Sequence, residues 1–98
     1  MTIEKTINGS ELTLALKGRL DTTTALQLEE EIKANIEGVT RLIFVLDGLE
    51  YISSAGLRVL LSAQKVMNKQ GEMIVKNVSE VVMEVFDVTG FADIFTIQ

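Results

Sequence analysis

The sequence contains no cysteine, no histidine and no proline. Without cysteine the chain has no disulfides, no thiolate nucleophile and no thiolate metal site. Without histidine it lacks the commonest general base and the commonest metal ligand. A hydrolase would have to rely on carboxylates such as Asp21 and Asp47, so we predict that the protein is not an enzyme and has no cofactor.

Long apolar runs and an excess of positive charge are missing as well. The longest unbroken apolar stretch covers residues 42–46, far short of a membrane span, and residues 1–5 show no signal-peptide pattern. The net charge is -5 and no basic stripe is visible, which disfavours a nucleic-acid partner. We therefore expect a single cytoplasmic domain over residues 1–98 that binds neither nucleic acid nor membrane.

The beginning of the chain predicts an antiparallel hairpin. Residues 1–7 suit a short strand, and Asn8-Gly9 is a turn signal because both residues tolerate positive φ. Leucines then alternate with other residues at positions 12, 14 and 16, the period of a strand with one buried face. The chain therefore opens with two paired strands.

Helices and strands alternate over the rest of the sequence. A helix begins after the capping residues 21–24 and is expected to end at Gly38, and residues 41–46 form a buried central strand. Residues 47–51 read as a loop, with Asp47-Gly48 as a turn, before a second helix that Gly71 ends. Residues 73–75 form a strand, a third helix begins at Asn77 or Ser79, and residues 94–97 suit a last strand. This order predicts an α/β fold with a mixed sheet and helices packed against it.

Ser53 and Ser54 lie where the central strand passes into the second helix. In open α/β sheets, sites form beyond the carboxyl ends of the strands. Free backbone N–H groups and the positive end of the helix dipole favour an anion there, and a phosphate on Ser54 would change the local charge by nearly two units. A plain N-cap serine explains either residue equally well.

Several segments of the sequence resemble the STAS domain, which sulfate transporters and anti-sigma factor antagonists share. The resemblance rests on the apolar run 42–46 followed by Tyr51-Ile52-Ser53-Ser54-Ala55-Gly56-Leu57, and on Gly18-Arg19-Leu20-Asp21 before the first helix. It extends to Gly71-Glu72-Met73 and to Val88-Thr89-Gly90-Phe91, and so covers essentially the whole chain. The length is similar to that of a free-standing bacterial anti-sigma factor antagonist.

What this resemblance implies is partner switching. The unphosphorylated antagonist binds an anti-sigma factor that is also a serine kinase, and so frees the sigma factor. The kinase phosphorylates one serine, which breaks the complex, and a serine phosphatase resets it. Ser54 matches the phosphorylated position, while Ser53 and Ala55 stand where the family often has aspartate and a small polar residue.

The predicted partner-binding surface surrounds that serine. Asp21 is either the cap of the first helix or a contact for the kinase, and Arg58 and Gln64 are expected to be exposed on the second helix. The remaining open alternative is a STAS scaffold subunit or a small-ligand sensor in a signalling assembly. The residues assigned to the surface are Asp21, Thr22, Ser53, Ser54, Ala55, Gly56 and Arg58.

Overall fold

The computed structural model describes residues 1–98, and its sheet begins with the predicted hairpin. Strands β1 (Thr2–Asn8) and β2 (Glu11–Leu20) pair antiparallel, and Asn8 lies opposite Glu11. Gly9 lies in the turn with φ +63°, a left-handed conformation that glycine adopts without steric cost. The hairpin prediction is therefore confirmed.

Three helices and three further strands follow β2. In chain order these elements are α1 (Thr22–Asn35), β3 (Arg41–Ile52), α2 (Ser54–Gln70), β4 (Glu72–Lys76), α3 (Glu80–Thr89), a short 3₁₀ helix (Phe91–Asp93) and β5 (Thr96–Ile97).

The strands lie in the sheet in the same order as in the chain. β2, β3, β4 and β5 are parallel neighbours, which makes the sheet mixed, as predicted. Buried side chains from all three helices form one core with the residues at alternate positions of β2, β3 and β4, such as Leu14, Phe44 and Met73. The helices therefore cover one face of the sheet. None of them is long and apolar enough to cross a membrane.

The central strand is longer than predicted. The residues expected to form a loop, 47–51, continue β3 as far as Ile52 and pair with the end of β2. Two shifts of register, one beside Gly48, interrupt the two-residue alternation of buried side chains. The prediction of a turn at Asp47-Gly48 is therefore wrong. A bulge interrupts the alternation of buried and exposed side chains, but the strand stays paired with its neighbour.

Three smaller predictions about the helices are also settled. The prediction that Gly38 ends α1 is wrong, because the C-cap is Ile36 and Gly38 lies two residues further on with φ +79°. Ser79, not Asn77, occupies the N-cap position of α3, although its side chain makes no capping hydrogen bond. The prediction that Gln64 is exposed is wrong, because only 7% of its surface is accessible to solvent. Its side-chain amide donates a hydrogen bond to Asn68.

Candidate functional site

Two helices begin side by side at one edge of the sheet. Leu20 ends β2, Ile52 ends β3, and the two residues are partners in the parallel register. The backbone N–H of Ser53 donates to the carbonyl oxygen of Leu20 at 2.9 Å. The N-caps of α1 and α2, Asp21 and Ser53, are therefore held next to each other by the sheet.

Asp21 is engaged as the cap of α1. Its Oδ1 accepts from the backbone N–H groups of Thr23 and Thr24, both at 3.0 Å, and its own N–H donates to the Thr24 hydroxyl at 2.8 Å. The hydrogen bond from the Thr24 backbone is the largest cause that lowers the pKa of Asp21 below its usual value, and the charge of Arg19 contributes as well. The structure thus establishes Asp21 as the cap of α1.

The two serines differ in what their hydroxyls do. Ser53 is the N-cap of α2, and its Oγ accepts from the backbone N–H of Gly56 at 3.2 Å. Ser54 is the first helical residue, is exposed, and has no hydrogen bond from its hydroxyl. The N–H groups of Ser54 and Ala55 also have no acceptor within the chain. The hydroxyl of Ser53 completes the helix start, whereas that of Ser54 is exposed and unbonded.

Gly56 allows α2 to approach the strands closely. A Cβ atom at this position would lie 2.7 Å from Cγ of Leu20 and 3.0 Å from Cγ1 of Ile52. These distances are shorter than van der Waals contact, and both neighbours are buried. Gly56 therefore fixes where the first turn of α2 lies, although it is itself buried and offers a partner no side chain.

A groove runs between α1 and α2 from this edge. Its first part, about 450 Å³, is lined by Thr22, Ala55 and Arg58 of the predicted surface together with Leu26, which is 64% exposed. A second part of about 230 Å³ shares Glu29 and Val59 with the first and continues along both helices. Thr22, Ala55 and Arg58 thus line one groove across the two helices.

Arg19 and Tyr51 belong to the same edge and were not among the predicted site residues. They lie opposite each other on β2 and β3, and the guanidinium carbon is 4.2 Å from the centre of the ring. Such a cation–π contact holds both exposed side chains in place. Each residue stands two positions before a helix N-cap, a correspondence that the parallel register alone reveals.

The site offers an anion its free N–H groups and the guanidinium of Arg58. No group of three or more acidic side chains lies close enough to hold an ion. The arrangement suits recognition of a surface, or of a phosphate, at the start of α2.

Known bacterial proteins are similar to this chain in sequence, and two of them illustrate the likeness. The candidate anti-sigma factor antagonist BtrV of Bordetella bronchiseptica is 41% identical over 88 residues, which span 88% of this chain and 76% of BtrV. The anti-sigma-B factor antagonist of Bacillus subtilis is 31% identical over 92 residues, which span 93% of this chain and 84% of the relative.

The fold has solved counterparts too. SpoIIAA, described as a Bacillus cell fate determinant, was solved in its phosphorylated form and aligns with a TM-score of 0.78 at 21% identity, covering 99% of this chain and 91% of SpoIIAA. Its unphosphorylated form gives the same TM-score. The sequence profile of the STAS domain matches residues 2–98. With nearly the full length matched and the fold shared, this chain belongs to the STAS domain family.

Proposed function

We propose that the protein is an anti-sigma factor antagonist that works by partner switching, with Ser54 as the phosphorylated residue. The observation that carries this proposal is the difference in hydrogen bonding between the two serine hydroxyls. Ser53 already serves as the helix cap, whereas the Ser54 hydroxyl is exposed and unbonded. The names of the two sequence relatives support the role, and SpoIIAA shows that this fold exists in a phosphorylated form.

The docking surface in this proposal is the edge where α1 and α2 begin. Thr22, Ala55 and Arg58 line the groove between the two helices there. Asp21 and Ser53 cap the two helices, and Gly56 allows the first turn of α2 to approach the strands closely. In the unmodified state this edge is docked against an anti-sigma factor that is a serine kinase. A serine phosphatase restores the unmodified state after each round.

A phosphate on Ser54 acts on the surface and not on the fold. The free N–H groups at the start of α2 and the helix dipole stabilise an anion at that position. Arg58 lies one helical turn further on and is not engaged in an ion pair. The domain therefore tolerates the added charge, while a partner docked there meets nearly two negative charges and loses the complex.

The modification itself can be tested by mass. The wild type, Ser53→Ala and Ser54→Ala are each incubated with an extract of the source bacterium and magnesium ATP, and intact masses are measured. We expect one phosphate on the wild type and on Ser53→Ala, and none on Ser54→Ala. Phosphate on Ser54→Ala but not on Ser53→Ala would show that the acceptor is Ser53 and not Ser54. No phosphate on any of the three would replace switching by the scaffold interpretation.

The consequence for binding needs a charge-matched control. Ser54→Ala is expected to retain the kinase in the presence of ATP, and Ser54→Asp to release much of it, because a carboxylate adds one negative charge to the surface. Ser10→Asp adds the same charge at an exposed position beyond the other end of the sheet and is expected to bind like the wild type. Equal loss in both aspartate variants would show that net charge, not this surface, governs the complex.

A further inference from the structure

α3 exposes a row of valines to solvent. Val81 is 56% exposed and Val88 is 81% exposed, and the half-buried Val85 lies between them. Spacings of four and three residues place all three on one side of the helix. They line a shallow depression of about 290 Å³ together with Glu84 and Thr89. We call these five residues the valine surface.

The segment that carries this surface is charged with one sign only. Residues 80–94 contain Glu80, Glu84, Asp87 and Asp93 and no basic residue. The rest of the chain then has ten acidic and nine basic residues, so that four of the five net negative charges belong to these fifteen positions. None of the four carboxylates is in an ion pair within the chain. The segment that bears the exposed valines thus carries a concentration of negative charge that no ion pair neutralises.

We propose that the valine surface is a second docking site, whose occupant is a cationic amphipathic helix of a partner protein. Apolar side chains at a helical spacing match the apolar stripe of such a helix. Its lysines or arginines would face Glu84 and Asp87, which have no cation of their own. A second copy of this chain is disfavoured because symmetric pairing through α3 would bring the same carboxylates together.

The valine surface is distinct from the Ser54 surface. α1 and α2 pack against each other and enclose the groove beside Ser54, whereas α3 packs against β3 and the 3₁₀ helix. α2 carries Arg58, Lys65 and Lys69 and no acidic residue, so a cationic helix is repelled from α2 and attracted to α3. The proposal therefore does not depend on phosphorylation at Ser54.

A designed peptide provides the probe. A helical peptide of leucine and lysine, with leucines at positions i, i+3, i+4 and i+7, is added to the full ¹⁵N-labelled chain, and amide shifts are followed by NMR. We expect saturable shifts at residues 80–94, and none with a matched peptide of leucine and glutamate. Shifts confined to α1 and α2, or no saturable binding, would overturn the proposal.

Variants decide whether the valines and the carboxylates are both required. Val81→Ser together with Val88→Ser is expected to raise the Kd about tenfold, because exposed side chains lose their apolar contacts without loss of core packing. The matched control Ile7→Ser changes an apolar residue of β1 that is 60% exposed and is expected to leave the Kd unchanged. An equal effect in both variants would show that the peptide merely seeks apolar surface.

A charge exchange is the sharpest arm of the test. Glu84→Lys with Asp87→Lys is expected to abolish binding of the leucine–lysine peptide and to create binding of the leucine–glutamate peptide. In sedimentation without peptide, the wild type and Val88→Ser are expected to show the same state of association. A dimer lost in Val88→Ser would assign the valine surface to a second copy and overturn the proposal.

Discussion

α2 and α3 both begin at the same edge of the sheet, yet they are built in opposite ways. α2 has 17 residues and buries seven of them, whereas α3 has ten residues and buries only Val82 and Phe86. α2 carries three basic residues and no acidic one, and α3 carries three acidic residues and no basic one. The hydroxyl of Ser53 caps α2, whereas that of Ser79 donates to the carbonyl oxygen of Leu49 and does not cap α3.

The difference separates two uses of a helix surface. Because α2 is fixed by deep burial on one side, the chemistry of its exposed first turn can change without displacing it. α3 is attached mainly through Val82 and Phe86, the latter in edge-to-face contact with Phe95 at 5.4 Å between ring centres. It leaves most of its own length to solvent and concentrates charge there. The contrast between α2 and α3 can be tested at the ends and at the starts of the helices.

The largest effect is expected where the two helices end. At Gly71, after α2, a Cβ atom would overlap the carbonyl oxygen of Thr40, so Gly71→Ala should lower the free energy of unfolding by roughly 3 kcal/mol. At Gly90, after α3, no atom lies within 4 Å, and φ is +83°. Gly90→Ala should therefore cost only about 1 kcal/mol of backbone strain. Urea unfolding of both variants measures the difference, and equal costs would remove the asymmetry between the helix ends.

A smaller effect is expected at the start of α2. Ser53→Ala removes the acceptor of the Gly56 N–H and should lower the free energy of unfolding by about 1 kcal/mol. Ser54→Ala removes a hydroxyl without a hydrogen bond and should stay within about 0.5 kcal/mol of the wild type. Thermal or urea unfolding checks both, and a larger cost for Ser54→Ala would reverse the roles assigned to the two serines.

The smallest effect is a dependence of stability on pH, which is expected at the start of α1 and not at the start of α2. Hydrogen bonds from Thr24 hold the pKa of Asp21 below its usual value, so its ionised form stabilises the folded chain at neutral pH. This contribution is lost as the pH falls through the lowered pKa. Asp21→Asn keeps a capping oxygen but cannot ionise, so its unfolding midpoint in urea should approach that of the wild type in acid.

A matched variant isolates this titration. Ser53 has no ionisable group, and the cost of Ser53→Ala should not change over the same range of pH. A gap between Asp21→Asn and the wild type that widens toward acid would contradict the assigned direction of the shift.

The sequence predicted the parts of the fold whose residues follow a regular period. The leucines of β2 and the apolar run at the start of β3 led to the hairpin and the central strand, both of which the structure confirms. The second half of β3 escaped prediction because exposed Asp47 and Glu50 and a bulge at Gly48 break the alternation. Only the partner strand shows that pairing continues through Ile52.

The candidate site was predictable in position and less so in detail. The end of a buried strand followed by two serines marked the edge, but either hydroxyl satisfies the rules for an N-cap. The hydrogen bond from Gly56 to Ser53 distinguishes them, and it depends on backbone angles that no residue type dictates. The contact between Arg19 and Tyr51 required the exact register of β2 and β3, which the bulges shift.

The strand order β1-β2-β3-β4-β5 has a consequence for how the chain can fold. Every strand after β1 pairs with the strand that precedes it in sequence, so that no strand needs a later segment of the chain before it can pair. The hairpin of β1 and β2 closes the shortest loop and offers one open edge, onto which each helix–strand unit can add in turn. Such growth suits synthesis from the N-terminus, because each emerging strand meets an edge that is already in place.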